Sequence, residues 1–130
     1  MMIFVYGTLM KGYSNHDRCL GGYVVGLMRG TIRGKLYHMR EGYPALITGD
    51  DEVYGEIMVI EDERALIWLD ELEDYDSSRE DNLFNRTIEK VTLEDGKIIE
   101  CQVYTYADED YARRKGEYLE HGDWKKYMPL

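Results

Sequence analysis

The sequence predicts an α+β domain: several strands with one clear helix between them, and a sheet able to curl into a barrel. Three observations carry that expectation. An apolar and aromatic run opens the chain and stops at Gly7. Residues 86–106 read as a hairpin whose arms are rich in β-branched residues, and between the two lies a single amphipathic stretch of helical period, residues 62–74. At 130 residues the chain makes one domain, 1–130, with enough length for a real hydrophobic core.

The opening run, residues 2–6, fits a buried strand. Glycine directly after it lets the backbone turn sharply and lets another group approach closely. The amides of Gly7, Thr8 and Leu9 can then converge on an anion as a nest of successive N–H groups, or the segment is an ordinary strand-to-loop turn. A phosphate loop is excluded. Gly7, Gly12 and Ser14 have its spacing, but Tyr13 stands where its lysine belongs. No G-x-G-x-x-G follows the strand, so a carboxylate suits the nest as well as a phosphate does.

Residues 15–20 suggest a short helical turn ended by Gly21-Gly22. Residues 23–25 and 31–39 read as strands separated by Gly26 and Gly30, and residues 42–44 as a turn before the apolar run 45–47. Gly49-Asp50-Asp51 marks another turn, whose acids Asp50, Asp51 and Glu52 read as a solvated loop rather than a cation site. Residues 53–60 alternate as a strand. In the hairpin, 86–93 and 97–106 are the arms and Glu94-Asp95-Gly96 the turn. The tail, 108–127, reads as mostly helical with an interruption near Gly122.

Composition narrows the function classes. A formal charge of −10 disfavours nucleic acid and anionic membrane surfaces, since no basic stripe offsets the repulsion. Twelve tyrosines supply half-buried rings with hydroxyls at their rims. Cys19 and Cys101 sit in no C-x-x-C pattern and read as two free, buried thiols. No signal peptide or long apolar span is evident, which suggests a cytoplasmic protein. His16, His38 and His121 lack ligand spacing, so no metal site is expected.

The central helix carries the most informative residue. Its apolar stripe contains Ala65, Leu66, Leu69 and Leu72, and Leu66, Leu69 and Glu73 share a face at i, i+3 and i+7. Glu73 therefore projects inward, whereas Asp70, Glu71 and Asp74 lie to the polar side. Burial, the negative helix end and neighbouring acids would all raise its pKa and make it a general base. The alternative is a frayed end whose Glu swings to water.

Together these pieces resemble a known family. Val5-Tyr6-Gly7-Thr8-Leu9 with Asn15-His16 resembles the opening motif of the γ-glutamylcyclotransferase-like family, closest to its γ-glutamylamine branch. The match continues at Tyr43-Pro44, at Gly55-Glu56 ending a strand, and at Leu69-Asp70-Glu71-Leu72-Glu73. It runs on through the Arg86 strand and Val103-Tyr104 to Gly122-Asp123-Trp124, so it spans almost the whole chain. No single motif is decisive; their order and spacing are specific.

The resemblance implies a small mixed β-barrel with flanking helices. It also implies conversion of a small-molecule γ-glutamyl amine or amino acid to 5-oxoproline and a free amine, without metal or cofactor. Carried over by position, Glu73 matches the catalytic glutamate, and Tyr6, Gly7, Thr8 and Leu9 match the loop that holds the glutamyl end. The nest would then receive the α-carboxylate. One departure stands out: the family commonly has Tyr two positions before the strand arginine, where this chain has Phe84. Either Tyr75, Tyr43 or another tyrosine is left to supply the hydroxyl, or the substrate preference differs. Residues 75–83 are long and charged, as a mobile flap would be. Arg86 reads as a partner for nearby acids, and Trp124 as a core plug. Phe84 also admits a non-catalytic module that binds γ-glutamyl ligands, and an acidic interaction protein without an occupied pocket is the third possibility. The sequence carries no mark of oligomeric state.

Overall fold

The computed structural model describes residues 1–129, apart from the side chain of Cys19. The expectation of a buried thiol at Cys19 lies outside the described residues; Cys101 is buried and free.

Five strands close into a mixed barrel, with short helices around it. They are β1 (Met2–Val5), β2 (Val24–His38), β3 (Pro44–Ile60), β4 (Phe84–Leu93) and β5 (Ile98–Tyr106). Around the barrel the order is β3-β1-β5-β4-β2, and β2 pairs again with β3 to complete the ring. Only β1 and β5 run parallel; the other contacts are antiparallel. Closure removes most of the exposed strand edge. A two-residue strand, β6 (Glu117–Tyr118), adds to β2 at Tyr37 and His38. The core runs through the ring, with Phe4, Leu36, Leu46, Ile57 and Val103 each at most 2 % exposed.

The hairpin of β4 and β5 forms as expected, with Gly96 at φ +89° in its turn. Residues 23–39 behave differently from the expectation. They form one 15-residue strand, because Gly26 and Gly30 lie inside it instead of ending it. At Gly30, β2 meets Leu93 of β4, and a Cβ there would lie 2.7 Å from Ile57 and 2.9 Å from the Thr92 carbonyl. Likewise residues 44–60 are a single strand, and Thr48, Gly49 and Asp50 form a bulge where the register slips between Gly34 and Lys35. The tail is less helical than expected: α3 (Glu109–Lys115), β6 and the one-turn α4 (Trp124–Tyr127). Trp124 is 2 % exposed and plugs the core.

The short helix α1 spans Ser14–Cys19 and the central helix α2 spans Arg64–Leu72. Ala65 and Leu69 of α2 are fully buried, while Leu66 and Leu72 pack partly against the core. Burying each leucine contributes about 1.5–3 kcal/mol. The helix ends two residues earlier than the periodicity suggests. Asp74 takes a left-handed φ of 51°, and its N–H donates to the Glu71 carbonyl while Tyr75 N–H donates to that of Asp70. That pair of bonds is a Schellman cap, with Glu73 as its C-cap residue. Among the described residues, no helix is long and apolar enough to cross a membrane, and no cluster of His, Cys, Asp or Glu is arranged to hold a metal ion.

Candidate active site

Because β1 and β5 are parallel, both finish at the same rim of the barrel, where antiparallel β4 begins: Phe84 pairs with Tyr106. The cap of α2 comes down onto this rim. Between them lies a cavity of about 220 Å³ lined by residues 4–9, Asn15, Tyr43, Pro44, Leu72, Glu73, Asp74, Leu83, Phe84 and Tyr104. Tyr6, Gly7, Thr8, Leu9 and Glu73, the five site residues expected from sequence, all border it.

The loop after β1 is pinned at several points. Met10 N–H donates to the Gly7 carbonyl (3.0 Å), the Asn15 amide donates to Thr8 Oγ1 (2.7 Å), and buried His16 places Nδ1 3.0 Å from the Leu9 carbonyl. Lys11 N–H donates to Glu56 Oε1 (2.7 Å), and the Lys125 ammonium donates to the other oxygen of that buried carboxylate (2.8 Å). The amides of Gly7, Thr8 and Leu9 donate to no acceptor among the described residues. Gly7 is required by its neighbour rather than by its own dihedral angles: a Cβ would sit 2.5 Å from Pro44 Cγ.

Across the cavity, Glu73 is half-buried, and its carboxyl accepts no hydrogen bond from any described residue. Burial pushes its pKa from 4.5 up to about 7. Of the three causes expected from sequence, desolvation is the one that carries the shift. Burial also raises Tyr6, Tyr43 and Tyr104 above the ordinary phenol range, and the Glu73 charge adds to the rise at each.

The walls are organised by hydrogen bonds. Arg86 and Tyr104 are register partners on β4 and β5, and both reach Asp70 of α2. Arg86 Nε donates to Asp70 Oδ1 (3.0 Å), Arg86 Nη2 to Oδ2 (3.3 Å), and the Tyr104 hydroxyl to Oδ1 (2.5 Å). Arg86 thus holds an acid, as its sequence context suggests. The Tyr6 hydroxyl donates to the Tyr104 carbonyl (2.6 Å). Phe84 packs edge-on against Tyr43 and Tyr106, with centroids 5.6 and 5.3 Å away. Residues 75–83 are cross-braced by buried Asn82, whose side chain accepts from Asp76 N–H and donates to the Asp76 and Arg79 carbonyls.

Tyr43, named from sequence as one source of a hydroxyl, lines the cavity, and Tyr104 and Leu83 join its wall although residue type alone did not mark them. An aromatic in a strand reads equally as core, and only the register of β5 against β4 turns Tyr104 toward α2.

Comparison with known proteins agrees with this architecture. The family model described as "Gamma-glutamyl cyclotransferase, AIG2-like" matches residues 3–126. A gamma-L-glutamyl-butirosin B gamma-glutamyl cyclotransferase from Niallia circulans is 33% identical, over 96% of this chain and 76% of its own. A gamma-glutamylaminecyclotransferase from Bos taurus is 35% identical, over 81% of this chain and 65% of its own. The crystal structure of an AIG2-like protein from Mus musculus superposes with a TM-score of 0.73 at 30% identity, covering 98% of this chain and 90% of that one. With nearly its whole length matched and the barrel shared, this chain belongs to the AIG2-like γ-glutamyl cyclotransferase family.

Proposed function

We propose that the protein converts a γ-glutamyl amine or γ-glutamyl amino acid to 5-oxoproline and a free amine, with Glu73 as general acid and base. The observation that carries this reading is the Glu73 carboxyl. It borders the same cavity as the loop after β1, accepts no hydrogen bond from a described residue, and has a pKa raised to about 7. A base poised near the working pH combines availability with proton affinity. The names of two relatives, one for γ-glutamyl-butirosin B and one for γ-glutamylamines, support an amide of a substituted amine as the substrate.

In this reading the substrate α-carboxylate docks on the amides of Gly7, Thr8 and Leu9, beside Tyr6. The α-amine attacks its own γ-carbonyl carbon, a C–N bond forms, and Glu73 takes a proton from the amine. Collapse of the tetrahedral intermediate breaks the bond to the leaving nitrogen, which receives that proton from Glu73. No water and no side-chain nucleophile are consumed. Ring closure within one molecule draws on effective molarities of about 10⁵–10⁸ M when the curled conformer is held. Proton transfer through Glu73 adds roughly 10²–10⁴-fold.

One observation favours a second reading, a module that binds γ-glutamyl ligands without turning them over. Phe84 lines the cavity with a ring that carries no hydroxyl. A panel of γ-glutamyl compounds, assayed for 5-oxoproline by mass spectrometry and for affinity by calorimetry, separates the two. Release by the wild type, with binding but no release by Glu73→Gln, is expected. Tight binding with no ring closure by the wild type would replace the catalytic reading with the second.

A further inference from the structure

Three tyrosines line the cavity together with Glu73, yet none of their hydroxyls donates to its carboxyl. Tyr6 from β1 is committed to the Tyr104 carbonyl, and Tyr104 from β5 is committed to Asp70. Tyr43, at the turn before β3, packs its ring against Phe84 and Tyr106 and donates nothing to the carboxyl. Asp74 lines the cavity beside Glu73; behind the wall Asp70 of α2 is paired with Arg86 of β4, whose guanidinium also donates to Gln102 Oε1 (3.4 Å). Asp70 and Glu73 are i and i+3, adjacent on one helix surface. Tyr104 faces both: its hydroxyl bonds Asp70, and its ring borders the cavity that Glu73 borders.

We propose that Asp70 is a positioning residue that holds the Tyr104 hydroxyl turned away from Glu73, so that no protein group competes with substrate for the lone pairs of the base. The inference rests on Glu73 being the general base. Its physical content is a competition between two carboxylates for one phenolic proton. Asp70 wins because the Arg86 fork fixes it at 3.0 and 3.3 Å, so it is oriented and charged in place. Were the hydroxyl released, its oxygen–hydrogen bond would rotate to Glu73. A hydrogen bond to a carboxylate favours the ionised form, so the base would titrate lower and accept a proton less strongly. Arg86 thereby acts on the chemistry at two removes, through Asp70 and then Tyr104.

The test titrates the Glu73 carboxyl by ¹³C NMR in protein labelled at glutamate carboxyls, the resonance being assigned with Glu73→Gln. Asp70→Leu removes the acceptor and should lower the Glu73 midpoint by about one pH unit, as expected for one gained hydrogen bond. In Asp70→Leu with Tyr104→Phe no hydroxyl remains to turn, and the midpoint should stay near that of the wild type. An equal drop in both backgrounds would assign the effect to loss of the Asp70 charge and overturn the proposal, as would no drop in either. Should Asp70→Leu not fold, Tyr104→Phe alone decides. An unchanged midpoint supports the proposal, whereas a rise shows that the hydroxyl already serves Glu73 and overturns it. The titration needs no turnover, so an enzyme that failed to release 5-oxoproline while titrating as expected would sink the functional reading and leave the network standing.

Discussion

Replacing Glu73 by Gln should stabilise the fold, and by an amount that grows with pH. An acid whose folded pKa is raised prefers to keep its proton in the native state, so the native state binds more protons than the unfolded one between the two pKa values. Stability is therefore unpenalised below the unfolded value, 4.5, and is lost progressively as pH rises to about 7. At about 1.4 kcal/mol per pH unit, the full penalty is at most about 3 kcal/mol at pH 8 and about 1.5 kcal/mol at pH 5.5. Gln has nearly the same shape and no charge to desolvate. Urea unfolding of both proteins should then show Glu73→Gln more stable at pH 8 by up to about 3 kcal/mol, with a gap about 1.5–2 kcal/mol smaller at pH 5.5. Equal stability at both pH values would mean that the carboxyl is fully solvated, and the desolvation argument would fall with it.

Other substitutions test separate parts of the site. Gly7→Ala places a methyl 2.5 Å from Pro44 Cγ and should cost about 1–3 kcal/mol by overpacking; a denaturant melt measures it, and substrate affinity should fall as the loop shifts. Asp74→Gly relieves a left-handed residue at the Schellman cap and should stabilise by up to about 1 kcal/mol, read as a higher Tm. Lys125→Met strips buried Glu56 of its cation and should destabilise by about 3 kcal/mol, with the loss shrinking when Glu56→Gln is added.

Much of this site is written locally. The strand stop at Gly7 and the i, i+3, i+7 pattern that aims Glu73 inward are short-range features, and they place both halves of the cavity. Gly26, Gly30 and Gly49 misled for a physical reason. A glycine that ends a strand and one that admits a close neighbour look alike in sequence, and only the β2–β4 contact shows Gly30 to be the second kind. The tail was harder still, since β6 is two residues long and exists only because β2 offers it a free edge. The Asp70–Arg86–Tyr104 network joins residues 16 and 34 positions apart. Its members could be read as polar helix surface, ion pair and core aromatic, but their meeting point depends on the register of β4 and β5. The cap geometry of Glu73 likewise needed Asp74, a residue whose left-handed conformation the sequence does not announce.

The role of the Glu73 carboxyl in ring closure is tested most directly by the pH dependence of 5-oxoproline release from a γ-glutamyl amine. The wild type should release 5-oxoproline with kcat/KM rising through an acid limb centred near pH 7, where Glu73 of the free protein loses its proton, and Glu73→Gln should bind the substrate without releasing product. Release by Glu73→Gln at the wild-type rate, over the same pH range, would contradict it.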